Sequence, residues 1–207
     1  MTFDPGAATP GTTTPGTVPR RTVAVVLAAG RGSRFRASTH KLAAPLGSST
    51  VLHRVLEQVA RAGFADVVVI TGAKRLSELD VRPPDGIVEV HHPGWAQGQA
   101  TTVQVGVEWA RRRHAAAVVI GLGDQPGVPT SAWQAVAHSG SAIAVATYDG
   151  LRANPVRLAA EVWPLLPAEG DEGARSVMRV HPELVQEVPC QGNPGDIDTV
   201  EDLDSWN

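Results

Sequence analysis

The sequence contains one cysteine, Cys190, and lacks any long apolar run. One thiol cannot form an internal disulfide or a multi-thiolate metal site, and a lone cysteine is typical of reducing compartments. No stretch approaches the roughly 18 uninterrupted apolar residues of a membrane helix, and the first residues lack the basic and apolar regions of a signal peptide. These absences predict a cytoplasmic protein that does not span a membrane.

The sequence also lacks an excess of positive charge. Its formal net charge is -3 at pH 7, with 18 Lys and Arg residues against 21 Asp and Glu residues. This balance gives no positive field that would attract DNA, RNA or an anionic lipid surface. We therefore expect neither a nucleic-acid partner nor a membrane partner.

Large apolar residues are scarce at the start of the chain. Residues 1–20 are mostly Pro, Gly, Thr and Ala, which bury too little apolar surface to repay the entropy of ordering. The full sequence of 207 residues is 43% hydrophobic, and its length suits one globular domain rather than two. We predict a disordered tail at 1–20 and a single domain at 21–207.

Short apolar runs alternate with amphipathic segments along the rest of the chain. The runs predict strands at 23–27, 67–71, 87–91, 117–122, 142–146 and 184–188. Helical spacing predicts helices at 50–63, 101–113, 131–138, 158–166, 174–180 and 200–206. Such alternation is typical of a doubly wound, largely parallel sheet, in which ligands bind beyond the carboxyl ends of the strands.

A glycine-rich loop follows the first strand, where residues 27–34 are Leu-Ala-Ala-Gly-Arg-Gly-Ser-Arg. Small residues let successive N–H groups converge on a phosphate, and Arg31, Arg34 and Lys41 could neutralise its charge. A dinucleotide-binding fingerprint would need a third glycine where Phe35 stands, and the Gly-Lys-Ser/Thr of a P-loop is absent. The alternative to a phosphate site is a tight turn with solvated arginines.

Acidic residues stand at two other loops. Asp124 follows the fourth strand in Gly-Asp-Gln-Pro, and Asp198 precedes Thr199, the expected first residue of a helix cap. Two carboxylates together with phosphate oxygens suit Mg²⁺, which keeps few protein ligands. The alternatives are a turn residue for Asp124, a part of the helix cap for Asp198 and a solvated Asx turn for Asp196.

Five segments in combination resemble a known family. They are residues 27–34, Lys41, residues 122–126, residues 170–175 and residues 196–203. Together they are similar to the molybdenum cofactor cytidylyltransferase branch of the nucleotidyltransferase (NTP transferase) family. The resemblance extends from about Val23 to Leu203.

The resemblance implies a Rossmann-like sheet with a mixed C-terminal edge in a three-layer α/β/α architecture. It also implies transfer of CMP from CTP to the phosphate of a molybdopterin-type cofactor, with release of pyrophosphate and with Mg²⁺ held by Asp124 and Asp198. The implied catalytic residues are Arg34, Lys41 and Asp124. The implied nucleotide-binding residues are Leu27, Ala28, Ala29, Gly30, Arg31, Gly32, Gly72 and Gly98. The implied acceptor-binding residues are Arg152, Asn154 and Arg175.

Several functions remain open at this point. The acceptor could be a sugar phosphate or another small phosphorylated molecule. The same fold could serve an NADPH- or flavin-dependent oxidoreductase of the nicotine-blue type. The chain could also be a silent nucleotide-binding partner of a molybdoenzyme or of its maturation factor. In the family that the chain resembles, alanine at the position of Ala29 tends to accompany CTP and glycine tends to accompany GTP.

Overall fold

The computed structural model describes residues 22–206. The tail predicted at 1–20 lies outside the described residues, so that prediction and the domain boundary beside it stay predictions. Within the described range, no helix has the length and apolarity needed to cross a membrane.

The elements follow the predicted alternation of strands and helices. The strands are β1 (Thr22–Ala28), β2 (Pro45–Leu46), β3 (Ser49–Thr50), β4 (Val67–Thr71), β5 (Ile87–His91), β6 (Ala117–Leu122), β7 (Ile143–Tyr148), β8 (Leu151–Ala159) and β9 (Val185–Pro189). The helices are α1 (Val51–Arg61), α2 (Gln99–Arg112), α3 (Thr130–Ala137), α4 (Ala174–Val180) and α5 (Val200–Asp204). Short 3-10 turns occur at Lys41–Ala43, Trp95–Gln97, Ala160–Leu165 and Pro182–Leu184.

Seven strands form one sheet in the order β5-β4-β1-β6-β8-β7-β9. Strand β8 runs antiparallel to both of its neighbours, and the other pairings are parallel. Strands β2 and β3 form a separate small hairpin. The prediction of a mostly parallel sheet with a mixed C-terminal edge is confirmed.

Helices cover both faces of this sheet because the side chains of each central strand alternate between two cores. On β1, Ala24, Val26 and Ala28 pack with residues of α1 and α3 on one face. The intervening Val23, Val25 and Leu27 pack with residues of α2 and α4 on the other face. All seven residues of β1 are buried, as expected for a strand covered on both sides. This arrangement is the predicted three-layer α/β/α architecture.

The prediction of a helix at 158–166 is wrong. Strand β8 occupies the first part of that segment, and a 3-10 turn containing Pro164 follows it. Asp149 and Gly150 both have positive φ angles and join β7 to β8 in a tight hairpin. An Asp-Gly pair between two apolar runs is a strong hairpin signal, so the sequence did contain the evidence for β8.

Candidate active site

The loops after β1 and β6 lie side by side at the carboxyl edge of the sheet. Leu27 and Leu122 are partners in the parallel ladder, and the Gly123 N–H donates to the Leu27 carbonyl at 2.9 Å. The glycine-rich loop after β1 and Asp124 after β6 therefore leave the sheet next to each other. This is the edge at which ligands bind in sheets of this type.

Four predicted site residues meet there in one ionic cluster. Lys41 Nζ lies 2.5 Å from Asp124 Oδ2 and 2.8 Å from Asp198 Oδ1. Arg34 Nη2 lies 2.8 Å from Asp198 Oδ2. The structure therefore brings together side chains that are up to 164 positions apart in the sequence, the distance between Arg34 and Asp198.

The two cations of this cluster differ in exposure. Lys41 is buried, and burial lowers its pKa, but the charge and hydrogen bonds of Asp124 and Asp198 raise it by more. The net pKa of Lys41 lies above its ordinary value, so this amine stays charged at neutral pH. The Arg34 side chain is 74% exposed, and exposed ion pairs contribute only about 0–1 kcal/mol. Arg34 could therefore exchange Asp198 for a phosphate at little cost.

The carboxylates of the cluster suit a divalent cation. Asp124 Oδ1 is a buried atom that has no hydrogen-bond partner among the described residues. A buried acceptor left unpaired costs about 1–3 kcal/mol, and a bound cation would remove that penalty. Within residues 22–206, no group of three or more His, Cys, Asp or Glu side chains could hold a metal ion. Asp124 and Asp198 nevertheless fit Mg²⁺, because this ion takes one or two carboxylates and completes its shell with water and phosphate oxygens.

A small apolar cluster holds the glycine-rich loop against the segment that carries Asp198. Phe35, next to Arg34, packs in this cluster with the fully buried Ile197. The Ile197 N–H also donates to the Asp124 carbonyl at 2.9 Å. The cluster contains Phe35, Ala44, Leu46, Val51, Ile197 and Leu203. Because Ile197 directly precedes Asp198, this packing sets the position of the carboxylate relative to the loop.

The predicted helix cap is confirmed, and Asp198 takes no side-chain part in it. The Thr199 side chain accepts from the Asp202 N–H at 3.1 Å, while Asp202 Oδ2 accepts from the N–H groups of Asp198 and Thr199. The carboxylate of Asp198 is therefore left for Arg34 and Lys41.

Two adjoining cavities open beside the cluster. The larger, of about 350 Å³, is bordered by the end of β1, the turn at Trp95–Gln97 and Asp124. The smaller, of about 200 Å³, contains the four residues of the ionic cluster. The predicted nucleotide-binding residues that line one or both cavities are Leu27, Ala28, Ala29, Gly30, Gly32 and Gly98.

The other two predicted nucleotide-binding residues contact Trp95, which lines the larger cavity. The Arg31 guanidinium lies 5.4 Å from the centroid of the Trp95 ring. A Cβ atom at Gly72 would lie 2.6 Å from Trp95 Cβ, so only glycine fits there. Gly98, at φ 109°, similarly leaves space for the Gly170 carbonyl. Arg31 and Gly72 support the cavity wall in this structure, and direct contact with a nucleotide stays a prediction for them.

Sequence reasoning missed Gln125, a buried residue that connects three parts of the site. Its Nε2 donates to the Pro194 carbonyl at 2.9 Å and to Asp196 Oδ1 at 2.8 Å. Its Oε1 accepts from Asn154 Nδ2 at 3.1 Å. The feature of the sequence that could have indicated this role is the position of Gln125 directly after Asp124.

Asp196 does not form the expected solvated Asx turn. Instead, its carboxylate accepts the hydrogen bond from Gln125, and the turn is made by Asn193, whose Oδ1 accepts from the Gly195 N–H at 2.9 Å. Although Asp196 is exposed overall, partial desolvation of its carboxyl group and the negative charge of Asp124 raise the pKa of Asp196. Asp196 thus lies beside the ionic cluster without contacting either of its cations.

Comparison with known proteins gives a consistent assignment. Residues 24–187 match the MobA-like NTP transferase domain. Over 110 residues the chain is 36% identical to the bifunctional protein GlmU of Rhizorhabdus wittichii, and this match covers 53% of the chain and 24% of GlmU. The chain therefore spans about a quarter of the length of that curated relative.

Solved structures match over most of the chain. The crystal structure of the Rv0371c homologue from Mycobacterium sp. strain JC1 is 30% identical, with a TM-score of 0.74 over 90% of this chain and 97% of that one. Rv0371c of Mycobacterium tuberculosis in complex with manganese is 26% identical, with a TM-score of 0.72 over 90% of this chain and 97% of that one. A nucleotidyl transferase from Methanothermobacter shares the fold at 21% identity, with a TM-score of 0.75 over 91% of this chain and 98% of that one. Together with the domain match, these findings show that the chain belongs to the MobA-like NTP transferase family of nucleotidyltransferases.

Proposed function

We propose that this protein transfers CMP from CTP to the phosphate of a molybdopterin-type cofactor in the cytoplasm and releases pyrophosphate. The observation that carries this proposal is the convergence of Arg34, Lys41, Asp124 and Asp198 beside two cavities at the carboxyl edge of the sheet. A molybdoenzyme or its maturation factor would receive the product.

Asp124 and Asp198 are the residues that would hold Mg²⁺. When bound, this ion would neutralise negative charge on the triphosphate. Two observations support a divalent metal: the unpaired Oδ1 of Asp124, and the manganese complex of the mycobacterial relative.

The chain's own residues would align the phosphates and balance their charge. An acceptor phosphate is already anionic, so no strong base is needed to activate it. Its oxygen forms a bond to the α-phosphorus of CTP while the bond between that phosphorus and the leaving pyrophosphate breaks. Lys41 and Arg34 would stabilise the charge that develops on these groups, and the small residues of the loop allow close approach.

The test is release of pyrophosphate from CTP in the presence of Mg²⁺ and a molybdopterin-type acceptor. Pyrophosphate release from CTP supports nucleotidyl transfer, whereas oxidation of NADPH without pyrophosphate release supports the oxidoreductase alternative. Replacing the acceptor with a sugar phosphate in the same assay separates the two acceptor classes.

Nucleotide choice should depend on Ala29, which lines the larger cavity. Its methyl group narrows the space for a base, which a pyrimidine tolerates better than a purine. We expect the wild type to prefer CTP and Ala29→Gly to improve the use of GTP. A methyl-sized change is worth about 1–3 kcal/mol, so the preference should narrow by about tenfold or more.

The measurement is competition between equal concentrations of CTP and GTP. Ala28→Gly is the matched control, because it removes the same methyl group from a residue that lines only the smaller cavity of the two. Two results would contradict the proposed role of Ala29 in the larger cavity. One is a wild-type preference for GTP, and the other is the same ratio of CTP use to GTP use in Ala29→Gly as in the wild type.

Gln125 should affect the Mg²⁺ requirement of the reaction, because its hydrogen bonds help to position the segments around Asp124 and Asp198. Gln125→Met keeps a similar volume and removes the hydrogen bonds to Pro194, Asp196 and Asn154. Loss of such supporting bonds costs about 10–100-fold in metal affinity or activity, so the Mg²⁺ concentration for half-maximal rate should rise by about that factor.

The control for Gln125 is Gln134→Met, on α3. Gln134 donates one hydrogen bond, to the Ala62 carbonyl, away from the ionic cluster. The rate of each variant is measured at increasing Mg²⁺ concentrations, and the concentrations that give half-maximal rate are compared. Equal Mg²⁺ requirements in both would rule out a positioning role for Gln125.

A further inference from the structure

One polar cavity lies apart from the active site. It has a volume of about 690 Å³ and is bordered by the polar side of α1, the β2–β3 hairpin and residues 80–82. None of its lining residues lines either cavity beside the ionic cluster. It is also separate from a third cavity, of about 450 Å³, between α4 and the mixed part of the sheet, which is lined by the predicted acceptor-binding residues Arg152, Asn154 and Arg175. We call the polar cavity the α1 cavity.

Three arginines line the α1 cavity, and none of them pairs with a carboxylate in the described part of the chain. Arg54 and Arg61 lie seven positions apart on α1, and Arg82 belongs to the segment beside that helix. Glu57 stands three positions after Arg54 and four before Arg61, the spacings at which ion pairs form on a helix. Its carboxylate instead lies beside His53, with 3.7 Å between Glu57 Oε1 and His53 Nε2. All three guanidiniums are therefore open to an external anion.

Arg54 is the most enclosed of these arginines. It is half-buried, whereas Arg61 and Arg82 are exposed. Its Nε is a buried atom that has no hydrogen-bond partner among the described residues. A partly buried cation without a counter-charge is unfavourable, so an anion in the cavity would stabilise this guanidinium.

Carboxylates and hydroxyl groups share the α1 cavity with the arginines. The carboxylates are those of Glu57 and Asp80, and the hydroxyl groups are those of Ser48, Ser49 and Thr50. Carboxylates repel a bare anion, but they accept hydrogen bonds from the hydroxyl groups of a ligand. The one aliphatic residue of the described lining is Val81, which is itself buried, and this lining contains no Trp, Tyr or Phe. The cavity therefore offers no apolar surface on which a nucleotide base could stack.

We infer that the α1 cavity is a second binding site, which takes a small phosphorylated molecule that also carries hydroxyl groups, as a sugar phosphate does. Guanidiniums bind phosphate oxygens through paired, charge-assisted hydrogen bonds. The carboxylates and hydroxyl groups of the lining pair with the hydroxyl groups of the ligand. This inference goes beyond the proposed function, because no residue of the α1 cavity belongs to the ionic cluster.

The test measures the binding of glucose 6-phosphate to the full chain by calorimetry, without nucleotide or divalent metal. Inorganic phosphate and glucose are the comparison probes, because each carries one part of the recognised chemistry. We expect glucose 6-phosphate to bind at least about fivefold more tightly than inorganic phosphate, since the hydroxyl groups add hydrogen bonds to those of the phosphate. Glucose should bind more weakly than glucose 6-phosphate, because it lacks the anion.

Variants locate the binding site. Arg54→Gln and Arg82→Gln should each weaken the binding of glucose 6-phosphate by about tenfold, because each removes a charged partner of the phosphate. Arg82 is exposed, so Arg82→Gln should leave the melting temperature unchanged even if Arg54→Gln lowers it. Arg112→Gln is the matched control, because Arg112 is an exposed arginine of α2 that pairs with Glu108 at 3.0 Å and does not line the cavity.

Two further variants separate the α1 cavity from the active site. Arg175→Gln and Lys41→Met should both retain the binding of glucose 6-phosphate, since neither residue lines the α1 cavity. Weaker binding in these two variants, with full binding in Arg54→Gln and Arg82→Gln, would move the ligand to the active site and overturn the inference.

Three other results would also overturn the inference. They are no binding of glucose 6-phosphate to the wild type, equal binding of inorganic phosphate and glucose 6-phosphate, and equal effects of Arg112→Gln and Arg82→Gln. Pyrophosphate release from CTP does not depend on these measurements. Failure of the second site would therefore leave the proposed function standing, and failure of nucleotidyl transfer would leave the second site standing.

Discussion

Asp124→Ala is expected to lower the rate of nucleotidyl transfer by at least ~10²–10³-fold, the usual effect of losing one charge contact in a transition state. The variant removes one of two carboxylates that would hold the metal and also removes a partner of the buried Lys41. Asp198→Ala should have a comparable effect for the same reasons. The measurement is pyrophosphate release at saturating Mg²⁺.

Two further variants separate chemistry from folding. Breaking a buried ion pair can cost about 3–5 kcal/mol, so Asp124→Asn, which keeps the shape of the side chain, should be measured beside Asp124→Ala. Asp196→Asn is the control, because its amide oxygen can still accept from Gln125 and Asp196 contacts neither cation. Most of the activity should survive in Asp196→Asn. A larger loss there than in Asp198→Ala would reverse the assignment of the metal ligands.

Lys41→Met is expected to lower the rate by a similar factor, because the variant lacks the buried positive charge that would stabilise the phosphates. The same substitution leaves Asp124 and Asp198 facing each other without their shared cation. A divalent metal could then bind these carboxylate oxygens without competition from the Lys41 amine. We therefore expect Lys41→Met to bind Mg²⁺ at least as tightly as the wild type while it loses activity.

Lys74→Met is the matched control for Lys41→Met. Lys74 is the other lysine of the chain, and it forms an exposed pair with Glu78 at 3.2 Å. Surface substitutions of this kind rarely change stability by more than about 0.5 kcal/mol. Pyrophosphate release measures activity, and calorimetry measures Mg²⁺ affinity. Equal rates in Lys41→Met and Lys74→Met would contradict a role for Lys41 at the phosphates.

The sequence predicts that the glycine-rich loop and Asp124 lie at the same edge of the sheet, whereas their side-by-side position depends on the strand order, which only the structure shows. Both segments follow apolar runs, and parallel strands bring their carboxyl ends to one edge of the sheet. The position of Asp198 could not be derived in this way. It depends on Phe35 and Ile197, which pack together from distant parts of the chain, and only the resemblance to a known family indicated the result.

Other features depend on side-chain contacts that no periodic pattern reveals. The hydrogen bonds of Gln125 reach two separate segments and require a folded structure to be seen. The aliphatic walls of the cavity between α4 and the mixed part of the sheet come from two helices and three strands, where each residue alone is typical of a buried core. Strand β8 is different, because Asp149 and Gly150 mark its hairpin in the sequence, whereas the helical spacing of residues 158–166 predicts a helix that the structure does not contain.

The most direct test of the account is transfer of the labelled α-phosphate of CTP. Purified protein is incubated with Mg²⁺, α-labelled CTP and a molybdopterin-type acceptor, and both the labelled product and pyrophosphate are quantified. The account predicts label in the acceptor and pyrophosphate in equal amounts, with CTP preferred over GTP and with loss of both products in Asp124→Ala. No transfer from CTP, GTP, ATP or UTP in the presence of Mg²⁺, or equal transfer by Asp124→Ala, would contradict it.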